Sequence, residues 1–264
     1  MAYTVPGRNA VNFALSAVTP SRTANFVFAP PSGGSLSGSS VADPLVTTVD
    51  ISSMGFNDWA IVNTSGAGGA GIPASITMRK NGGGSTITTS GMPNSFDTTV
   101  PPKTISWSDG TPTTSGSEVS GGFTMQGDTP DTATATFPAT TTLRRAIIWY
   151  PYYRYDAIST LKVTASLSDN SAPSIAFDGI SPVASNSVEH GYLVFDYSAS
   201  GTGQVLTVNL RAQGTGPWDN IGIQALGWMD LAGDYVYLGN GFSVRYPGAR
   251  SETAIYFGAR TLHA

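Results

Sequence analysis

Cysteine is absent from the 264-residue chain, and charged residues make up only 11% of it, against about 25% in an ordinary soluble domain. Without cysteine there is no disulfide, no thiolate metal ligand and no cysteine nucleophile. The formal net charge of −4 gives no electrostatic basis for binding nucleic acid. No apolar run reaches the roughly 18 residues that a membrane-spanning helix needs. The sequence therefore predicts neither a nucleic-acid nor a membrane partner.

Glycine (31 residues), proline (17 residues), serine and threonine are abundant instead. This mixture is poor in helix formers and rich in strand and turn formers. In residues 161–167 and 206–212, apolar and polar side chains alternate, which predicts strands that bury Leu161, Val163 and Val208 on one face. Many short alternating strands separated by Gly/Pro-rich turns predict an all-β fold, an antiparallel β-sandwich of the jelly-roll type.

The chain opens on a short unit that occurs twice, as "YTVPGRNAVNFAL" (3–15) and "VTPSRTANFVF" (18–28). Each copy has a proline turn followed by alternating apolar residues, Phe13 and Leu15 in the first and Phe26 and Phe28 in the second. Two such short strands cannot form a core by themselves. We therefore expect a docking arm that adds its strands to the edge of a host sheet.

Composition divides the chain into four segments. Residues 1–30 form the repeated short-strand arm, and 31–43, "PSGGSLSGSSVAD", read as a flexible Gly/Ser linker. Residues 44–232 hold the regular strands of the predicted sandwich. Residues 233–264 contain further strand candidates and are expected to form a C-terminal strand extension.

An unusual aromatic cluster, "WYPYYRY", occupies residues 149–155, and a tryptophan lies in the turn sequence "GTGPWDN" at 214–220. Tyrosine, tryptophan and arginine are enriched at the centres of protein interfaces, and aromatic faces also stack on sugars. Three interpretations stay open: a protein contact, a glycan contact, or packing within the fold. The candidate residues are Trp149, Tyr152, Tyr153, Arg154, Tyr155 and Trp218.

Catalytic and metal-binding signals are weak. His190 lies beside a glutamate in a predicted turn, and no Gly-x-Ser-x-Gly motif is present to place a serine nucleophile. We predict no catalytic residue, no cofactor and no metal. A calcium ion at a sandwich edge is the alternative for Asp169 with Asn170, or Asp219 with Asn220, because hard cations prefer such oxygen ligands. Ordinary turn capping by the same side chains is the competing interpretation.

Two resemblances follow from these motifs. The repeated opening unit resembles a short motif of tailed-bacteriophage structural proteins, in which a proline turn precedes Val-x-Phe-x-Phe. The segment from "DWAIVN" through "LVFDYSASGTGQVLTVNLRA" to "NIGIQALGW", residues 58–228, resembles a jelly-roll module found in secreted, surface and phage-borne bacterial proteins. The chain departs from that module by inserting "YPYYRY" at 150–155. The module carries no agreed catalytic residues, so it implies the fold more firmly than the function.

Together the resemblances imply a non-enzymatic structural protein of a bacteriophage virion: a capsid decoration protein, a head fibre or a tail component. Its expected partners are capsid or tail proteins of the same particle and further copies of itself, with a trimer as one option. The alternative is a carbohydrate-binding adhesion module that recognises bacterial surface glycans. The first hypothesis predicts that the aromatic cluster is buried between chains, and the second predicts that it is exposed.

Overall fold

A computed structural model describes most of the chain between Gly33 and Arg245. The described residues are 33–43, 48–63, 73–80, 86–96, 103–119, 121–125, 131–154, 160–180, 184, 187–213, 219–231, 235–237 and 243–245. Their regular structure consists of β-strands and a single turn of 3₁₀ helix at Ser52–Met54. No α-helix occurs in these ranges, so none there is long and apolar enough to cross a membrane. The all-β prediction is confirmed.

Twenty strands are present in the described residues. In chain order they are β1 (Ser35–Ala42), β2 (Thr48–Asp50), β3 (Asp58–Asn63), β4 (Ser75–Lys80), β5 (Thr88–Ser90), β6 (Asn94–Phe96), β7 (Thr104–Trp107), β8 (Gly110–Thr111), β9 (Gly116–Glu118), β10 (Gly121–Met125), β11 (Ala133–Ala139), β12 (Arg144–Arg154), β13 (Thr160–Leu167), β14 (Ile175–Asp178), β15 (Ser187–Ser198), β16 (Gln204–Gln213), β17 (Asn220–Ile223), β18 (Ala225–Asp230), β19 (Tyr235–Tyr237) and β20 (Ser243–Arg245). Within the predicted C-terminal extension, β19 and β20 pair with each other.

Two sheets pack face to face. The larger has ten strands, in the order β6-β10-β17-β12-β18-β3-β4-β8, with β15 also paired to β12 and β1 paired to β15. The smaller has five, in the order β14-β13-β16-β11-β5. The antiparallel pairs β10–β17, β11–β16, β12–β15 and β13–β14 nest inside one another along the chain. Such nesting, with the pairs divided between two sheets, is the rolled-up hairpin of a jelly roll, so the predicted topology is present.

Alternating side chains build the core between the sheets. Every second residue of β11 and β13 is buried, and β16 follows the same alternation from its third residue, because successive side chains of a strand point to opposite faces. The predicted core residues Leu161, Val163, Leu206 and Val208 are all fully buried. The polar residues between them therefore form the outer face of the smaller sheet.

The larger sheet has a second apolar cluster on its outer face. A small sheet of β2, β7 and β9 accompanies it and contributes Ile105 and Trp107, which pack with Trp59 and Trp149. The ring of Phe56 meets Trp149 edge-on, with 6.0 Å between ring centroids. Strand β12 is consequently buried on both faces over seven consecutive residues, a pattern of continuous apolar sequence rather than alternation.

The structure corrects the predicted linker at 31–43. Residues 35–42 form the edge strand β1, which pairs with β15 along its whole length. A Cβ atom on Gly38 would lie 2.8 Å from side-chain atoms of both Ile175 and Phe195, so only glycine fits there. The hydroxyl of Ser40 lies 2.8 Å from that of Tyr150. The small residues that suggested a linker are instead required where the edges of the two sheets meet.

A single residue, Gln224, separates β17 from β18 and forms a bulge opposite β12. Its backbone oxygen accepts a hydrogen bond from Val62 N at 2.8 Å. Its buried side-chain amide accepts from Lys103 N at 3.2 Å and donates to Lys103 O at 3.1 Å. The Lys103 ammonium in turn lies 3.2 Å from the Asp43 carboxylate, which follows β1. This network joins the segment before β7 to both the sheet and the end of the first strand.

Candidate functional site

The aromatic cluster predicted as a contact surface lies largely inside the fold. Trp149 is 3% exposed and Tyr152 is fully buried. Trp149 packs in the outer cluster of the larger sheet, and Tyr152 belongs to the core between the sheets. The prediction that these two side chains contact a glycan or a neighbour is therefore wrong, because β12 is covered on both faces. Packing within the fold is the interpretation that holds for them.

The other predicted contact residues are divided between the end of β12 and undescribed segments. Tyr153 and Arg154 are half-buried in the last residues of that strand. Tyr155 and Trp218 lie outside the described residues, as does the whole docking arm with Phe13, Leu15, Phe26 and Phe28. The predictions for these six residues stay predictions.

His190 lies within β15 rather than in the turn that the sequence predicted. It is half-buried, and its backbone oxygen accepts a hydrogen bond from Asp43 N at 3.0 Å. In the described part of the chain, no group of three or more histidine, aspartate or glutamate side chains is arranged to hold a metal ion.

Asp169 has the structure of a turn cap. Its carboxylate accepts hydrogen bonds from Ser171 N at 3.1 Å and from both Ser200 N (2.9 Å) and Ser200 Oγ (2.8 Å). Desolvation raises the pKa of this carboxyl, but the hydrogen bonds from Ser171 and Ser200 outweigh it and hold the pKa well below its usual range. The adjacent Asn170 has a positive φ of 52°, as turn asparagines often do. The capping interpretation therefore accounts for both residues.

A groove lies on the outer face of the smaller sheet, where polar side chains of β5, β11, β13 and β16 surround a cavity of about 680 Å³. This volume is within the range of small-molecule sites in proteins. The lining includes Thr134, Lys162, Thr164, Asn209, Arg211 and Gln213. We call this feature the outer groove.

A row of hydroxyl and amide groups crosses the floor of the outer groove. The strand register places Thr134, Asn209 and Thr164 side by side on β11, β16 and β13. The Thr134 hydroxyl donates to Asn209 Oδ1 at 2.9 Å, and Asn209 Nδ2 lies 3.5 Å from Thr164 Oγ1. These bonds hold the Asn209 amide in position, so that the row presents ordered donors and acceptors to the cavity.

Two cations line the same groove, two residues along the strands from this row. Lys162 on β13 and Arg211 on β16 are directly opposite each other. Each is paired on its other side, Lys162 with Asp178 and Arg211 with Asp131, the latter at 2.6 Å. Both basic side chains remain accessible, at 41% and 58% exposure. The aspartates lie outside the lining, so the cations face the cavity and the acids flank it.

This lining suits binding rather than a reaction. Among the described residues, the groove has neither a histidine nor a carboxylate in its lining, and these are the groups that most often act as general acids and bases. Hydroxyl, amide and cationic groups can instead hold a ligand rich in hydroxyl groups. The groove could not be predicted from the sequence. Its residues are ordinary outward-facing positions of their strands, and only the strand pairing shows which of them are neighbours.

Comparisons with known proteins add little. No protein-family model and no curated protein sequence matches the chain. Among solved structures, the chain is similar to TmCBM61 in complex with beta-1,4-galactotriose, with 8% sequence identity and a TM-score of 0.27, over 42% of this chain and 71% of that chain. A likeness at this level supports no inference about function.

Proposed function

We propose that this protein is a non-catalytic binding module that holds a glycan in the outer groove. The observation that carries the proposal is the row of Thr134, Asn209 and Thr164, whose polar groups are ordered by mutual hydrogen bonds at the floor of an open cavity. Sugars offer many hydroxyl groups, each both a donor and an acceptor, and a preordered row of amide and hydroxyl groups loses little entropy on binding them.

The position of the groove in the fold supports the same function. The smaller sheet has its apolar residues on the inner face, so its outer face contributes little to the core. The polar residues of the outer face can therefore suit a ligand without lowering the folding stability of the domain. A rigid sheet also holds binding groups more accurately than loops do.

The test is a glycan array followed by titration calorimetry on the best binder. Asn209→Ala removes the central amide and is expected to weaken binding about tenfold or more, with little change in melting temperature. Thr207→Ala, two residues earlier on the same face of β16, is the matched control and should bind as the unchanged protein does. The proposal is wrong if no glycan binds at millimolar concentration, or if Asn209→Ala binds with unchanged affinity.

A second function is favoured by the duplicated opening unit at 3–15 and 18–28. We propose that the chain is an accessory structural protein of a bacteriophage virion, attached to capsid or tail subunits by the two short strands that the sequence predicts in this unit and assembled as a homo-oligomer. Two copies of one docking strand would bind cooperatively through effective concentration. The two functions are compatible, since a glycan-binding body could be mounted on a particle by its arm.

Truncation tests the second function. A chain that lacks residues 1–34 keeps β1 and should keep its fold, yet fail to co-sediment with phage particles. The pair Phe13→Ser and Phe26→Ser should have the same effect at full length, because each loses an apolar docking side chain worth roughly 1.5–3 kcal/mol when buried. Full co-sedimentation of either variant would show that the arm is not the anchor.

A further inference from the structure

The two cations of the outer groove lie in an arrangement that costs stability unless something offsets it. Lys162 and Arg211 occupy directly opposite positions on neighbouring strands, where like charges repel. Asp178 and Asp131 compensate part of this repulsion from either side. The acids thereby fix the cations in place from the two sides of the groove, and the lining itself contains the two basic side chains and no acidic one.

Both cations keep donors for a ligand. A guanidinium group carries five N–H donors and an ammonium carries three. Asp131 engages Nη2 of Arg211, and Asp178 engages the ammonium of Lys162. The remaining donors of two adjacent cations suit an acid group placed between them, and the fork of arginine fits a planar carboxylate or a tetrahedral sulfate.

The hydroxyl and amide row lies one step further along the same strands. Thr164 follows Lys162 by two residues, and Asn209 precedes Arg211 by two, which corresponds to about 7 Å along a strand. A ligand that meets both rows at once carries an acid group on one side of a hydroxyl-bearing unit. This is the arrangement of an acidic sugar.

We infer that the ligand of the outer groove is an acidic glycan, whose carboxylate or sulfate lies between Lys162 and Arg211 while its hydroxyl groups contact the Thr134–Asn209–Thr164 row. The inference depends on the proposed glycan-binding function and narrows it to one class of saccharide. Nucleic acid fits the groove less well, because no aromatic side chain of the described residues lines it for base stacking.

The experiment compares matched saccharides by titration calorimetry. The probes are a tetrasaccharide of galacturonic acid, its carboxyl-reduced neutral counterpart, and a sulfated heparin-derived tetrasaccharide, which separates sulfate from carboxylate. We expect at least one acidic probe to bind about tenfold or more tightly than the neutral one. Raising the salt from about 0.05 M to about 0.5 M should weaken the acidic complex more than the neutral one, because salt screens accessible charges.

A charge-removing variant assigns the preference to these two residues. The pair Lys162→Gln and Arg211→Gln should weaken binding of the acidic probe about tenfold or more beyond any change in binding of the neutral one, so that the preference for the acidic probe is lost. Its melting temperature should change little, since both side chains are accessible and the lost ion pairs with Asp178 and Asp131 contribute little to stability at such positions. Arg145→Gln is the control, because Arg145 bonds Asp196 through its guanidinium on the larger sheet, away from the groove.

The outcomes separate the two proposals. If the neutral and acidic probes bind equally, the acidic class is wrong and glycan binding stands. If no saccharide of the array or the calorimetry binds, the glycan-binding function itself is wrong. If inorganic phosphate or a single-stranded oligonucleotide binds as tightly as the acidic saccharides, the groove is a general anion site and the inference is overturned.

Discussion

The two sheets of the sandwich are constructed differently. The larger sheet is buried on both faces around β12, with the core on one side and a cluster containing Trp59, Trp107 and Trp149 on the other. The smaller sheet is buried on one face only, and its other face is polar and open. The difference shows where each sheet tolerates amino-acid substitution. Nearly every residue of β12 contributes to stability, whereas every second residue of β13 and β16 is available for binding.

The largest effect should come from a charge placed on the inner face of the smaller sheet. Val208 is fully buried, so Val208→Asp should cost about 5 kcal/mol or more, close to the whole stability of many domains. Thr207→Asp, on the open face, should change stability by less than about 1 kcal/mol. Urea unfolding measures both. Equal destabilisation by the two variants would contradict the one-sided burial of this sheet.

The outer cluster of the larger sheet should be nearly as sensitive. Trp149→Ala removes a ring that contacts Phe56 and Tyr192, and we expect it to lower the free energy of unfolding by about 3–5 kcal/mol. Thr164→Ala, on the outer face of the smaller sheet, is the control and should melt normally. Since the groove lies on the other sheet, the folded fraction of Trp149→Ala should bind glycan with unchanged affinity. A normal melting temperature for Trp149→Ala would show that the outer cluster is not part of the stable fold.

The edge strand β1 gives an intermediate effect that two truncations isolate. Removal of residues 1–34 leaves β1 in place, whereas removal of 1–42 exposes the edge of β15 and also removes Leu36, which packs against the core. The longer deletion should melt about 5 °C or more below the shorter one. Differential scanning calorimetry provides the comparison. Identical melting temperatures would show that residues 35–42 do not contribute to the stable fold and act as the linker that their composition suggested.

Two aspartates in different environments should give opposite pH dependences. Burial raises the pKa of Asp58, on β3 of the larger sheet, although Arg79 and Thr86 partly oppose the shift. Its contribution to stability is therefore fully present below the unfolded-state pKa of about 3.9 and is lost as the pH rises through the higher folded-state value. Asp58→Asn does not ionise, so its stability should gain on that of the unchanged protein across this range. Urea unfolding at a series of pH values tests this, and parallel profiles would contradict it.

Asp169, in the exposed turn after β13, should show the smallest effect and the reverse sign. Its pKa is lowered, so its stabilising contribution is present above pH about 3.9 and is lost as the pH falls through the folded-state value. Asp169→Asn should be slightly less stable than the unchanged protein at neutral pH, and the difference should disappear in acid. Thermal melting at neutral and acidic pH measures it, and a difference that persists in acid would point to lost packing instead.

Alternation in the sequence predicted the smaller sheet well, because a strand with one buried face shows its burial directly in the order of its residues. The same reasoning failed for Trp149 and Tyr152, whose polar edges and neighbouring arginines suggested a surface, although an uninterrupted apolar run is also what a strand buried on both faces requires. It failed again around Gly38, in the segment predicted as a linker. A glycine is needed there because Ile175 and Phe195 approach the backbone closely, and not because the chain is flexible. The outer groove was not predictable, since Lys162, Asn209 and Arg211 become neighbours only through strand pairing.

The pairing of the first strand with β15 has a consequence during synthesis. Ser35 and Ser198, whose hydroxyls lie 2.9 Å apart, are separated by 163 residues in the chain. At translation rates of about 5–20 residues per second, β1 therefore waits roughly 8–30 seconds on the ribosome before its partner is made. An unpaired strand is a template for aggregation. During this time the β1 sequence presents mainly serines and one glycine, with few apolar residues. The composition that fits between the two sheets therefore also leaves the unpaired strand with few apolar side chains through which to aggregate.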